Sequence, residues 1–278
     1  MNIRRFLSYL PTNVYQLPPV LPCDDPSDRR EEQLLSIIPR ERNRPHDVRK
    51  MLGLIVDRDS LFEIGRFYGR GQVTALARLG GKPVGVLAND PLHLGGATDA
   101  DAAQKLESFV DFCDTFHLPV INFVDNPGFM IGPAAEAAGT LRHGARAICA
   151  IDAATIPWAT VVVRKMYGVA AAGHQPYHRF VYRIAWPSAE WGSIPIEGGV
   201  MAAYRREIES ADDPQAKRAE IEAMMIARRT PFGAVEAYNA EEMIDTRDTR
   251  PVLCEWVDMA YETLLPNDVG RKTRPMRP

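Results

Sequence analysis

Two short stretches of the chain carry residue types that could do chemistry at the main chain. The first, Phe123-Val124-Asp125-Asn126-Pro127-Gly128-Phe129-Met130-Ile131-Gly132-Pro133, leaves a β-type apolar run and enters a helical pattern through two glycines. The second, Arg164-Lys165-Met166-Tyr167-Gly168-Val169-Ala170-Ala171-Ala172-Gly173, leaves the Val161-Val162-Val163 run and enters a segment of small residues. The first N–H groups of a helix have no partner within it, so a strand-to-helix junction kept free of bulk can hold an oxyanion. A single junction of this kind is more readily explained as a tight turn. Two in tandem point towards an anion-stabilising site, without naming a substrate.

Side-chain chemistry is sparse by comparison. The sequence has no Gly-x-Ser-x-Gly elbow, no phosphate-binding Gly-Lys-Ser/Thr loop, no His-Glu-x-x-His and no Gly-x-Gly-x-x-Gly between a strand and a helix. His174 follows the second junction, but a lone histidine is more often a hydrogen-bonded structural group. Glu190 and Glu197 stand near Gly192, Gly198 and Gly199 and read as loop-ordering residues, while Trp186 and Trp191 read as walls of a core or an interface. Cys23, Cys113, Cys149 and Cys254 are scattered, with no Cys-x-x-Cys and no histidine at ligand spacing. They are expected to be reduced core thiols, and no metal is expected.

The elements that must position the junctions alternate short apolar runs with helical patterns, the sequence form of an α/β fold. Strands are expected from Val73 to Leu79, Val84 to Ala88, Val120 to Val124, Ala159 to Val163 and Phe180 to Ala185. A helix capped by Thr98 or Asp99 carries Leu106, Phe109, Val110, Cys113 and Phe116 on one face, and another is expected from about Ala134 to Ile151. Met201 to Arg228, Glu236 to Asp245 and Pro251 to Leu264 also look helical. Residues 1–46, with Pro18-Pro19, Pro22, Pro26 and Pro39, alternate poorly at either period and read as a linker or arm before a body spanning 47–278.

The 278 residues, 46% of them hydrophobic, can bury a large core, and a formal charge of -3 with no basic run leaves no electrostatic footprint for nucleic acid. No apolar run approaches the ~20 residues that span a bilayer, and the first ten residues lack a signal-peptide core. A cytoplasmic protein, bound neither to membrane nor to nucleic acid, is expected.

Further matching text surrounds the junctions: Leu141-Arg142-His143-Gly144-Ala145, Ala154-Thr155-Ile156-Pro157, Ala185-Trp186-Pro187-Ser188-Ala189-Glu190, and near the ends Asp25-Pro26-Ser27-Asp28-Arg29 and Ile244-Asp245-Thr246-Arg247-Asp248-Thr249-Arg250-Pro251. With the junctions, these make the chain resemble, along almost its whole length, the C-terminal half of the carboxyltransferase (beta) subunit of biotin-dependent acyl-CoA carboxylases of the propionyl-CoA and acetyl-CoA type. The resemblance implies an α/β, crotonase-like superhelix of ββα units with a helical C-terminal part. It implies transfer of CO2 from carboxybiotin to the alpha carbon of an acyl-CoA, with the biotin urea oxygen becoming an oxyanion and the biotin nitrogen taking the alpha proton. Little side-chain acid or base is then needed.

By the same resemblance the backbone N–H groups of Val169 and Ala170 would hold the biotin oxyanion, and Gly128, Phe129, Tyr167, Gly168 and Ala172 would bind biotin or substrate. The family's biotin-bearing Met-Lys-Met is absent, so biotin would arrive on a separate carrier protein. The family's N-terminal half, which would hold the thioester oxyanion, precedes the linker at which this chain starts. Implied partners are therefore an N-terminal-half polypeptide, a biotin carboxylase, a biotin carboxyl carrier protein and acyl-CoA, in a hetero-oligomer such as a six-plus-six ring. Where the family has Gly-Gly-Ala-Tyr-Asp, this chain has Gly168-Val169-Ala170-Ala171-Ala172. A positive φ at Val169 would be strained, and the small Ala172 at an acidic position points to a different or larger acyl group. The alternatives are a decarboxylase of the same fold acting on a malonyl-type thioester, a non-catalytic assembly subunit, and a stand-alone enoyl-CoA hydratase or isomerase.

Overall fold

Runs such as Val84 to Ala88 and Val161 to Val163 have no polar face, so they are stable only where both sides of a sheet are covered. The computed structural model describes residues 2–193 and 196–278, with only the backbone described at Ala171, Ala172, Glu197, Gly198 and Ala202. In chain order its elements are α1 (Asn2–Leu7), α2 (Val48–Ile55), β1 (Phe62–Ile64), β2 (Gln72–Leu79), β3 (Lys82–Asn89), α3 (Ala100–Thr115), β4 (Val120–Asn126), α4 (Pro133–Ala137), α5 (Thr140–Ala153) and β5 (Trp158–Tyr167). There follow α6 (Gly168–Ala172), β6 (Tyr182–Ala185), β7 (Glu190–Gly192), α7 (Ile196–Glu209), α8 (Pro214–Ala227), α9 (Pro231–Glu236), β8 (Glu242–Met243) and α10 (Thr249–Met259).

The strands form one sheet in the order β1-β2-β3-β4-β5-β6-β8, with β7 paired to the end of β5. The pairs from β1 to β3 are antiparallel and those from β3 onward are parallel. One face, with Val73, Val86, Phe123, Val161 and Ile184, packs on α2, α10 and Leu34 of the arm. The other, with Leu76, Leu87, Val120 and Trp158, packs on α3 and α5. Asp99 caps α3 by accepting from Ala102 N at 2.8 Å, as expected of a helix N-terminus here.

Three expectations need correction. The helix expected from Ala134 to Ile151 is two helices, because Gly139 takes a left-handed φ of 70° between α4 and α5. The segment from Glu236 to Asp245 is not a helix: α9 ends at Glu236, and β8 adds a parallel edge to β6. Met201 to Arg228 divides where Asp213 caps α8 by accepting from Gln215 N and Ala216 N, with Pro214 in the first turn.

The arm lies on the chain's own body. Arg29 reaches the carbonyls of Leu54 and Val56 at 2.8 and 2.9 Å while pairing with Asp25. Arg250, buried, donates to Pro26 O at 2.8 Å and to Asp57 at 2.9 Å. Polar fastening of this kind leaves no apolar period in the sequence. Cys113 and Cys254 are core thiols, whereas Cys23 and Cys149 are only half-buried; all four are free. Among the described residues no helix is long and apolar enough to cross a membrane, and no three His, Cys, Asp or Glu side chains are grouped to hold a metal.

Candidate active site

Parallel strands β4 and β5 deliver both junctions to the same edge of the sheet. Between the pairs Val124–Val162 and Asn126–Met166 the chain takes two steps along β4 and four along β5, so β5 bulges here. Arg164 sits in that bulge and turns its guanidinium to Asp125, with Nη2 2.8 Å from Oδ2. The same carboxylate accepts from Lys165 N at 3.1 Å, and Arg164 Nη1 donates to Arg44 O at 2.8 Å. Both side chains are at most 5% exposed. The pair therefore locks the end of β4, the end of β5 and the arm to one another.

The first junction is held by Asn126. Its Oδ1 accepts from Gly128 N at 2.8 Å, which fixes the amide orientation, so Nδ2 faces Thr98 Oγ1 at 2.9 Å and His174 Nε2 at 2.7 Å. His174 Nε2 must then be an acceptor, and the ring is neutral with its proton on Nδ1. Burial alone pushes its pKa down to about 4. His174 also offers its carbonyl to Asn122 Nδ2 at 2.8 Å. It is a clasp between β4 and the segment after α6, a structural role. Phe129 lies against α5 where Gly144 makes room, since a Cβ there would come within 2.6 Å of the ring. The Gly in Arg142-His143-Gly144 thus serves the site by what it lacks.

The second junction has no loop at all: β5 ends at Tyr167 and α6 begins at Gly168. The left-handed φ falls on Gly168, at 61°, and Val169 is not among the positive-φ residues. The Val in place of the family's second glycine is therefore accommodated in a right-handed turn without the strain it could have had. Its side chain points to solvent, 69% exposed, and Ala170 is buried. Within α6 the backbone N–H groups of Val169 and Ala170 precede any residue with an i−4 carbonyl inside the helix.

The two junctions meet in a cavity of ≈ 390 Å³ whose walls include Pro127, Gly128 and Phe129 from the first and Tyr167, Gly168 and Ala170 from the second. Val169 also lines it, so six of the seven residues singled out from the sequence share one space. The seventh, Ala172, has its side chain outside the described residues, as has Glu197. A cavity of ≈ 470 Å³ near Tyr177, Phe180 and Arg183 contains neither turn. The walls are mostly small and apolar, and they include the first residues of α6. Sequence reasoning did not pick out Asp125, Arg164, Asn126 or Arg42. The visible signal for the first pair was opposite charges at the same point of two successive junctions.

The carboxyl transferase domain family matches residues 1–275. This chain belongs to that family. The methylmalonyl-CoA carboxyltransferase 12S subunit of Propionibacterium freudenreichii subsp. shermanii is 38% identical over 279 residues, 99% of this chain and 51% of the relative. The methylmalonyl-CoA decarboxylase subunit alpha of Veillonella parvula is 34% identical over 255 residues, 91% of this chain and 48% of that relative. Among solved structures, the transcarboxylase 12S crystal structure with methylmalonyl-coenzyme A and methylmalonic acid bound matches with a TM-score of 0.85 and 34% identity, over 99% of this chain and 52% of the other. The crotonase-like fold implied by the resemblance is the fold of this family member. The chain spans about half the length of the curated relatives it matches.

Proposed function

We propose that the chain is the biotin-facing half of a biotin-dependent acyl-CoA carboxyltransferase, working with an N-terminal half of the family's kind, a biotin carboxylase and a biotin carboxyl carrier protein in the cytoplasm. The observation that carries this reading is the cavity in which the Gly128 and Gly168 turns face one another, with Gly168, Val169 and Ala170, the first residues of α6, in its wall. Carboxybiotin, carried in on the partner protein, would supply the carboxyl group and afterwards a nitrogen able to take the alpha proton of the acyl-CoA. The Val169 and Ala170 N–H groups would hold the urea oxygen as it gains charge, a fixed-dipole effect that costs no reorganisation during transfer. Pro127, Phe129 and Tyr167 would keep water from the site, which strengthens those hydrogen bonds. Among the described residues lining this cavity the ionisable side chain is Tyr167, whose hydroxyl, pushed up to about 12, stays protonated near neutrality, in keeping with a reaction that takes its base from the bound group.

Exposed apolar residues flank the same edge of the sheet, among them Phe67, Leu92, Ile131 and Val169. Such a rim suits a partner surface carrying the second oxyanion hole. The test is transfer between biotin and acyl-CoA by the purified chain, alone and with a matching N-terminal half. The chain alone should be inert and the pair active; robust turnover without a partner would place the second oxyanion hole within these residues and end the half-site reading. The likeness to the decarboxylase subunit favours one other outcome, decarboxylation of a malonyl-type thioester through the same half-site. ATP- and bicarbonate-dependent carboxylation by the reconstituted complex separates the two. The acyl preference, tied by the resemblance to Ala172, would respond to Ala172→Asp with a shift towards short chains.

A further inference from the structure

Three distant parts of the chain converge on Tyr167, the residue before the Gly168 turn. Its hydroxyl donates to Glu190 Oε2 on β7 and accepts from Arg42 Nη2 at 3.1 Å. Arg42 Nη1 pairs with the same Glu190 oxygen at 2.7 Å. The guanidinium of Arg229, which follows α8, lies over the phenol ring with Cζ 4.8 Å from its centroid. Backbone pairing of Tyr167 with Gly192 fixes the strand register. Burial first, then Glu190, pushes the Tyr167 hydroxyl up to about 12, so it remains a donor throughout the neutral range.

Arg42 stands out because it belongs to no strand or helix of the body. It comes from the arm, whose path is set nearby by the Arg164 contact to Arg44 O. Its guanidinium closes a three-membered network with Tyr167 and Glu190, and its planar fork suits two acceptors at once. The turn beyond Tyr167 is a left-handed glycine and a five-residue helix, with little stiffness of its own.

Building on the function proposed above, we infer that Arg42 is a positioning residue for the transfer site: by bridging the Tyr167 hydroxyl and Glu190 it holds the Gly168 turn where the Val169 and Ala170 N–H groups can act together. The arm is then a working part of the site and not merely a connector. With both side chains of the Arg42–Glu190 pair about one-fifth exposed, loss of Arg42 still leaves Glu190 the Tyr167 hydroxyl as a donor, so no buried charge is left without a partner. A small displacement of two hydrogen-bond donors, in contrast, costs rate steeply. Loss of Arg42 should therefore show in kcat and leave KM for acyl-CoA and the folding midpoint nearly unchanged, a signature that a purely structural residue would not give.

The experiment uses the reconstituted complex and free biotin as acceptor, with Arg42→Ala, Arg42→Lys, Tyr167→Phe and the Arg42→Ala/Tyr167→Phe double variant, and Arg42→Gln as the replacement should the alanine form fail to fold. Each single loss should lower kcat about ten- to a hundredfold, and the double variant should be no slower than the slower single one, because the residues act as a unit. Arg42→Lys should recover part of the rate. Amide hydrogen exchange in residues 168–173 of the same proteins should quicken in Arg42→Ala. A kcat within about twofold of the parent for Arg42→Ala would overturn the assignment, since a misplaced donor costs far more. If the parent complex itself transfers nothing, the proposed function fails, and the exchange measurement still decides Arg42: unchanged exchange at 168–173 overturns its positioning role, and faster exchange upholds it.

Discussion

Asp125 and Arg164 close a buried ion pair across the ends of β4 and β5, one residue before Asn126 and three before Tyr167, with 2.8 Å between Oδ2 and Nη2. Neither junction can move without the other while this pair is intact. A buried pair seldom adds much over a well-packed apolar pair, but leaving one partner alone strands a charge away from water. Asp125→Ala and Arg164→Ala should each lower stability by about 3–5 kcal/mol, and Asp125→Leu combined with Arg164→Met should cost less than the sum. Urea unfolding of the three variants checks this. Single losses that are small and strictly additive would mean that the pair is not a lock.

Ala170→Pro removes one of the two donor N–H groups while staying within the first turn of α6, where proline is tolerated. Transfer by the assembled complex should fall about 100-fold or more, with acyl-CoA binding retained. A rate within about twofold of the parent, in a protein of unchanged circular dichroism, would remove this turn from the chemistry, since a true oxyanion donor is worth far more.

Gly144→Ala places a methyl group within 2.6 Å of the Phe129 ring. Overpacking of this order costs about 1–3 kcal/mol, and Phe129 would yield before the α5 backbone does. The expected result is a modest loss of stability with a larger loss of transfer, as the cavity wall moves inwards. A crystal structure of the variant with Phe129 unmoved would contradict it.

Acid should weaken the fold through two histidines. Burial pushes both His46 and His174 down to about 4, against 6.5 for the free side chain. For His46 the neighbouring Asp125 opposes that shift and Arg164 adds to it. In the unfolded chain each imidazole takes up a proton as the pH drops below 6.5, and the folded chain does not follow until about 4. Stability present above pH 6.5 is therefore lost as the pH falls through this window, by about 2 kcal/mol for each histidine by pH 5. Urea midpoints at pH 7 and pH 5, with the two imidazoles followed by NMR, test the prediction. A resonance of either ring titrating near 6.5 would refute its burial as a neutral group.

The sequence by itself determined the parts of this protein that repeat locally or sit next to one another in the chain. Apolar runs without a polar face specified buried strands, Thr98 or Asp99 marked the start of α3, with Asp99 the cap that the structure shows, and the small residues after Tyr167 marked a strand-to-helix junction. The motif text sufficed to name the family, because the two junctions and their flanking segments occur in order. Only the tertiary structure decided what joins those parts. Asp125 meets Arg164 because parallel pairing brings together ends that lie 39 residues apart, and Arg42 reaches Tyr167 across 125 residues. The opposite charges at the two junctions do not by themselves say that Asp125 and Arg164 meet, and the Arg42 contact leaves no period or spacing to detect. The same holds for the arm, whose hold on the body comes from buried arginines on backbone carbonyls and not from an apolar face. β8 was misread for a related reason: two residues added to the edge of a sheet carry too little pattern to outweigh helical propensity, and the partner strand β6 settles their conformation.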